Sequence, residues 1–168
     1  MRVRTISLAF GTVLALAACS PVTISNYSPK SADEEQIVQV FKRMAQGVSS
    51  RSPDLIMQAY ADDVYVGNFN KWTGVSRERQ NTTLDKAGLK QVYTKLFKAT
   101  GVKDIAMEVT NFTLTVTGDR AAAEGRTEFK LRLEGGRKEV RDDTIRNDVV
   151  WRMKRGPAGW KIVEEVYQ

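Results

Sequence analysis

Two adjacent carboxylates, Asp62 and Asp63, follow Tyr60 in the run Tyr60-Ala61-Asp62-Asp63-Val64, with Tyr65 next and Trp72 further on. A carboxylate with a raised pKa can remove a proton beside a carbonyl, and a tyrosine hydroxyl can donate to the oxyanion that develops. Asp62 and Asp63 are therefore candidate bases, and Tyr60, Tyr65 and Trp72 are candidate pocket-lining residues. The plainer roles are a hydrogen bond from the chain turn to one aspartate, solvation of the other, and burial of the aromatics as core. Farther along, Asp143 and Asn147 alternate in phase with Ile145, Val149 and Trp151. If that face looks into a cavity, Asp143 and Asn147 are polar groups in an apolar wall beside Trp151, the kind that orients a ligand. If the strand end protrudes, they are solvated.

The composition removes other chemistries. The chain has 168 residues, no histidine and one cysteine. No Ser-His-Asp or Cys-His group, imidazole metal site or internal disulfide can be built from it. Asp142 and Asp143 are adjacent and fall on opposite faces of a strand, a poor metal pair, so no metal is expected. There is no glycine-rich phosphate loop and no repeat, and no cofactor is expected. The formal net charge is +6. Its charges alternate in sign along the strands instead of forming a basic stripe, which argues against a nucleic-acid partner. A hydrophobic share of 42% supports a packed core in one domain.

The amino terminus reads as a targeting segment. Arg2 and Arg4 precede an apolar run from Ile6 to Ala18. As a helix its 13 residues reach about 20 Å, short of the roughly 30 Å bilayer core, so the run reads as a secretory signal. Leu16-Ala17-Ala18-Cys19 resembles the lipobox of bacterial lipoproteins. The resemblance implies cleavage before Cys19 and acylation of that residue, anchoring the protein in a membrane. Ser20 resembles the sorting signal that sends Gram-negative lipoproteins to the outer membrane, facing the periplasm. Residues 1–18 are the expected signal peptide, 19–32 a flexible lipidated tether and 33–168 the folded domain.

Within the domain the periodicity changes from helix to strand. Ser31-Ala32-Asp33-Glu34 fits a capping box, and Ile37, Phe41, Met44, Ala45 and Val48 follow on one helical stripe. Ser52-Pro53-Asp54 starts a second helix, expected to bury Leu55, Ile56, Met57, Ala59 and Tyr60. Val64 to Val66 is a short strand candidate. Leu89, Val92, Tyr93, Leu96 and Phe97 make a third helix that ends near Gly101. Then Ile105, Met107 and Val109 alternate in one phase and Phe112, Leu114 and Val116 in the other, as a β-bulge would produce. Two more long strands and a final short one follow, joined by glycine turns into an antiparallel meander.

This order is α+β, and particular residues carry a resemblance. Tyr60-Ala61-Asp62-Asp63-Val64 resembles the end of the second helix in the NTF2-like (SnoaL-like) superfamily. Gly118-Asp119-Arg120-Ala121-Ala122-Ala123 resembles its third-to-fourth strand hairpin. Val150-Trp151-Arg152-Met153-Lys154 through Gly159-Trp160-Lys161-Ile162-Val163 resembles its final hairpin. The resemblance implies a cone of about three helices on a strongly curved antiparallel sheet, with a pocket at the open end. Many pocket-bearing relatives carry a histidine shortly after the Trp-x-Ile motif, where this chain has Glu164, Glu165 and Val166. That departure argues against the histidine-using branches. Carboxylate chemistry stays open, with Glu164, in phase with Trp160 and Ile162, as a third candidate base or as a solvated strand end. Superfamily members include isomerases, dehydratases, binding domains and assembly domains, so function does not follow from fold. The expectation is a lipid-anchored domain that binds a small apolar or amphiphilic ligand or an envelope protein. The alternatives are a lyase or isomerase of the ketosteroid-isomerase kind and a module that dimerises through its sheet.

Overall fold

A computed structural model of the chain describes residues 24, 26–69, 83–135 and 140–168. Helix α1 runs Ala32–Ser49. Ser31 caps it, its hydroxyl accepting from the Glu34 amide at 3.2 Å, and Asp33, Glu34 and Glu35 complement the dipole in the first turn. The capping box is only half made. The Glu34 carboxylate turns away from the cap to accept from the Tyr27 hydroxyl and the Lys30 amide, each at 2.7 Å. The stripe of Ile37, Phe41, Met44, Ala45 and Val48 is buried as its spacing predicts.

Helix α2 (Pro53–Met57) is shorter than the sequence indicates. Ser52 caps it and Pro53 opens it. It packs closely against α1, where a Cβ on Gly47 would lie 2.6 Å from the Ile56 side chain. The chain leaves helical geometry after Met57, so Tyr60, Asp62 and Asp63 lie in strand β1 (Tyr60–Gly67) and not at a helix end. Pairing with the last strand wins this segment: the Ile162 amide bonds the Ala59 carbonyl at 2.9 Å, and Tyr60 lies opposite Ile162. Helix α3 (Lys86–Lys98) then buries Leu89 and Tyr93.

Strands β2 (Val102–Thr117), β3 (Arg120–Glu134), β4 (Val140–Gly156) and β5 (Gly159–Tyr167) complete one sheet in the order β1-β5-β4-β3-β2. The last four strands form the expected antiparallel meander, while β1 joins β5 in parallel. The predicted bulge in β2 is present: register shifts between Thr110 and Thr113, with Asn111 at φ 52°. Its kink swings Phe112 under α1, where Tyr27, Phe112, Phe41 and Trp151 stack edge to face at 5.0, 5.1 and 4.9 Å.

The outer face of the sheet is polar and laced with cross-strand ion pairs. Arg126 meets Asp148, Arg146 meets Glu128 and Lys130 meets Glu108. The segment expected to be a flexible tether is docked where it is described. Ile24 pairs in parallel with Val109 on the free edge of β2, and Tyr27 is half-buried against Phe112. No helix of the described residues is long and apolar enough to cross a membrane.

Candidate functional site

The concave face of the sheet and the inner faces of α1 and α3 enclose one continuous core, and its polar centre is Glu165. Only 2% of this residue is exposed. The Tyr60 hydroxyl donates to its carboxylate at 2.6 Å and the Trp151 indole N–H at 3.2 Å. The Tyr167 hydroxyl supplies a third, short hydrogen bond. Tyr60 also touches the Met44 sulfur at 3.3 Å and is hydrogen-bonded with Tyr93. Donors from β1, β4 and β5 therefore converge on one carboxyl, and α1 and α3 back the Tyr60 hydroxyl.

Burial pushes the Glu165 pKa up, and the donors from Tyr167, Tyr60 and Trp151 pull against that shift. The same burial, with the negative charge of Glu165 beside them, pushes the Tyr60 and Tyr167 hydroxyls well above the ordinary phenol range. Tyr93 moves the same way. A carboxylate offers about four acceptor positions, and three are taken here. Glu165 is thus held as a hydrogen-bond acceptor joining three strands. For it to act as a base toward a bound molecule, that molecule would have to reach the remaining acceptor position inside the core.

Glu164 was expected in phase with Trp160 and Ile162, but β5 breaks that alternation. Register shifts between Arg152 and Met153, so that Met153 faces Ile162 and Arg152 faces Glu164, leaving Val163 as the extra residue. A one-residue bulge reverses every side chain beyond it. Glu164 turns to the outer face, where Arg152 pairs with it at 2.9 Å, and Glu165 and Tyr167 turn inward. Sequence alternation missed Glu165 for this reason. The signal available was the terminal Glu165-x-Tyr167 pair, which shares one phase and ends in an aromatic.

The other candidates separate in the same way. Asp62 is exposed and paired with Lys86 at 2.8 Å, and that hydrogen bond draws its carboxyl below the usual range. Asp63 is exposed beside Arg120, Arg152 and Val163 in an outer cleft of about 450 Å³. Tyr65 is 49% exposed. Tyr60 and Trp151 are buried, as donors to Glu165. Asp143 is solvated at the strand end, accepting from the Thr144 amide at 2.9 Å and from Arg141. Asn147, on the same face four residues on, is buried. It lies opposite Thr127, itself 3% exposed, whose hydroxyl donates to the Asn147 carbonyl at 3.4 Å. Trp72 and Cys19 lie outside the described residues. Among the described residues, no group of three acidic, cysteine or histidine side chains is placed to hold a metal.

The sequence matches the SnoaL-like domain over residues 29–165. A protein from Kribbella flavida shares the fold at 16% identity, with a TM-score of 0.66 over 81% of this chain and 89% of that one. An NTF2-like protein with a cystatin-like fold from Novosphingobium aromaticivorans is 18% identical, covering 80% of each chain with a TM-score of 0.59. A candidate scytalone dehydratase from the same organism is 10% identical, with a TM-score of 0.63 over 80% of this chain and 81% of that one. No curated protein is similar to the sequence. With the family match spanning most of its length, and helices laid on a curved five-stranded sheet, the chain belongs to the SnoaL-like family of NTF2-like domains.

Proposed function

We propose that this protein is a membrane-anchored envelope lipoprotein whose SnoaL-like domain binds a small apolar or amphiphilic molecule in its cone without converting it. One observation carries the binding reading. The acids suited by sequence to act as bases, Asp62, Asp63 and Glu164, face outward, and the inward Glu165 already accepts three hydrogen bonds. The inner wall that remains is aromatic and aliphatic, with Thr127 and Asn147 as its polar groups on β3 and β4. Such a wall solvates an apolar body and orients one polar end. The anchor rests on Leu16-Ala17-Ala18-Cys19 behind its charged and apolar leader.

Expression of the full chain in a Gram-negative host, gentle detergent extraction and native mass spectrometry test both parts. The expected result is a chain beginning at Cys19 with lipid mass attached and a small-molecule adduct that Asn147→Leu weakens. Cys19→Ala is expected to release the protein from membrane fractions. A chain without an adduct overturns the binding reading, and a Cys19→Ala variant that stays membrane-bound overturns the anchor.

A second reading, a lyase or isomerase, is favoured by the raised pKa of Glu165 beside the Tyr60 hydroxyl. It predicts that Glu165→Gln abolishes turnover of the bound molecule.

A further inference from the structure

We infer that a lipid on Cys19 holds the domain close to the bilayer with the β2 edge toward it and β1 away from it. This rests on the lipid anchor proposed above and adds the membrane-facing surface. The described residues ahead of α1 are strapped to the fold. Ile24 pairs in parallel with Val109 on the free edge of β2, and the Tyr27 ring packs edge-on against Phe112 at 5.0 Å. The Tyr27 hydroxyl is fastened to Glu34, whose carboxylate also takes the Lys30 amide.

The strap shortens the anchor. Cys19 lies five residues before Ile24, and at about 3.6 Å per residue their Cα atoms are at most about 18 Å apart. A chain free as far as Ser31 would reach about 43 Å. A domain of this size has a radius of gyration near 14 Å and is roughly 37 Å across, so the longer reach would permit any orientation. The shorter reach, about half that width, keeps the strapped edge in the half of the domain nearer the headgroups. Strand β1, four spacings away at about 4.8 Å each, lies on the opposite edge. The partner surface is therefore the headgroup layer against the outside of β2.

Lipidation of Cys19 uses the only native thiol, so a single engineered cysteine can carry a fluorophore in the full lipidated chain. Thr113→Cys labels the β2 edge and Asp63→Cys labels β1; both native residues are exposed. In vesicles with headgroup nitroxide lipids, quenching at position 113 is expected to exceed that at position 63 by three-fold or more. Tyr27→Ala combined with Glu34→Gln is expected to remove most of that difference while circular dichroism stays native. Equal quenching at the two positions in the lipidated chain, or a difference that persists in the strap variant, overturns the orientation. A chain whose mass carries no lipid on Cys19 overturns the anchor, and the orientation with it.

Discussion

The Glu165 carboxylate accepts from three neutral donors, Tyr60, Trp151 and Tyr167, so its protonation is tied to burial. Removing the acceptor takes the carboxylate partner from three buried donors, and Tyr60 keeps only the weak Met44 sulfur and Tyr93 beside it. Glu165→Leu is expected to cost about 3 kcal/mol or more in urea unfolding, whereas Glu164→Gln, which breaks an exposed pair, costs under about 1 kcal/mol. The pH dependence has a definite sign. Burial raises the folded pKa of Glu165 above its unfolded value, so between the two values the folded state keeps a proton that the unfolded state has released. Stability from this group is complete below the ordinary glutamate range and is lost as pH rises through the raised value. Asp62 and Asp148, held below their usual range by Lys86 and Arg126, act oppositely and only in acid. With no histidine in the chain, few other groups titrate near neutrality. The unfolding free energy of the wild type relative to Glu165→Gln is therefore expected to fall as pH rises from the ordinary glutamate range through neutrality. A difference that rises or stays flat over that range contradicts the assigned environment.

Two bulges set the elements that build the site, and they differ in how far sequence shows them. In β2 the apolar alternation changes phase between Val109 and Phe112, and the structure puts the slip there, with Asn111 at φ 52°. Asparagine tolerates this left-handed conformation, and a β-branched residue does not. Asn111→Val is expected to lower unfolding free energy by about 1–2 kcal/mol and Asn111→Gly by under about 0.5 kcal/mol, measured by denaturant titration. The bulge at Val163 in β5 has no comparable signature. The residues before it, Trp160 and Ile162, and those after it, Glu165 and Tyr167, are too few on each side to show a phase change, and a glutamate in the inner phase reads as a surface residue. The helices were legible because caps and stripes are local: Ser31, Ser52 and the run from Ile37 to Val48 act within a turn or two. The early end of α2 was not, because β1 pairs with β5 about a hundred residues away. The split between Asp143 and Asn147 likewise depends on where the cone wall ends, which alternation does not encode.

At the scale of the molecule the sheet has two distinct surfaces. Its convex face is covered by exposed ion pairs, each contributing little to stability and sensitive to salt. Its concave face buries the aromatic run from Tyr27 to Trp151 that ends at Glu165. The described residues ahead of α1, the core aromatics and the buried carboxyl are thus one connected unit. A cone whose only inward carboxyl among the described residues is buried and already accepts three hydrogen bonds suits holding a molecule better than transforming it. The direct test is to identify the molecule recovered from the purified protein, return an excess of it to fresh protein, and follow its mass and nuclear magnetic resonance spectrum during binding. The account predicts saturable binding of a molecule that is recovered unchanged. Conversion of that molecule at a rate that Glu165→Gln abolishes would contradict it.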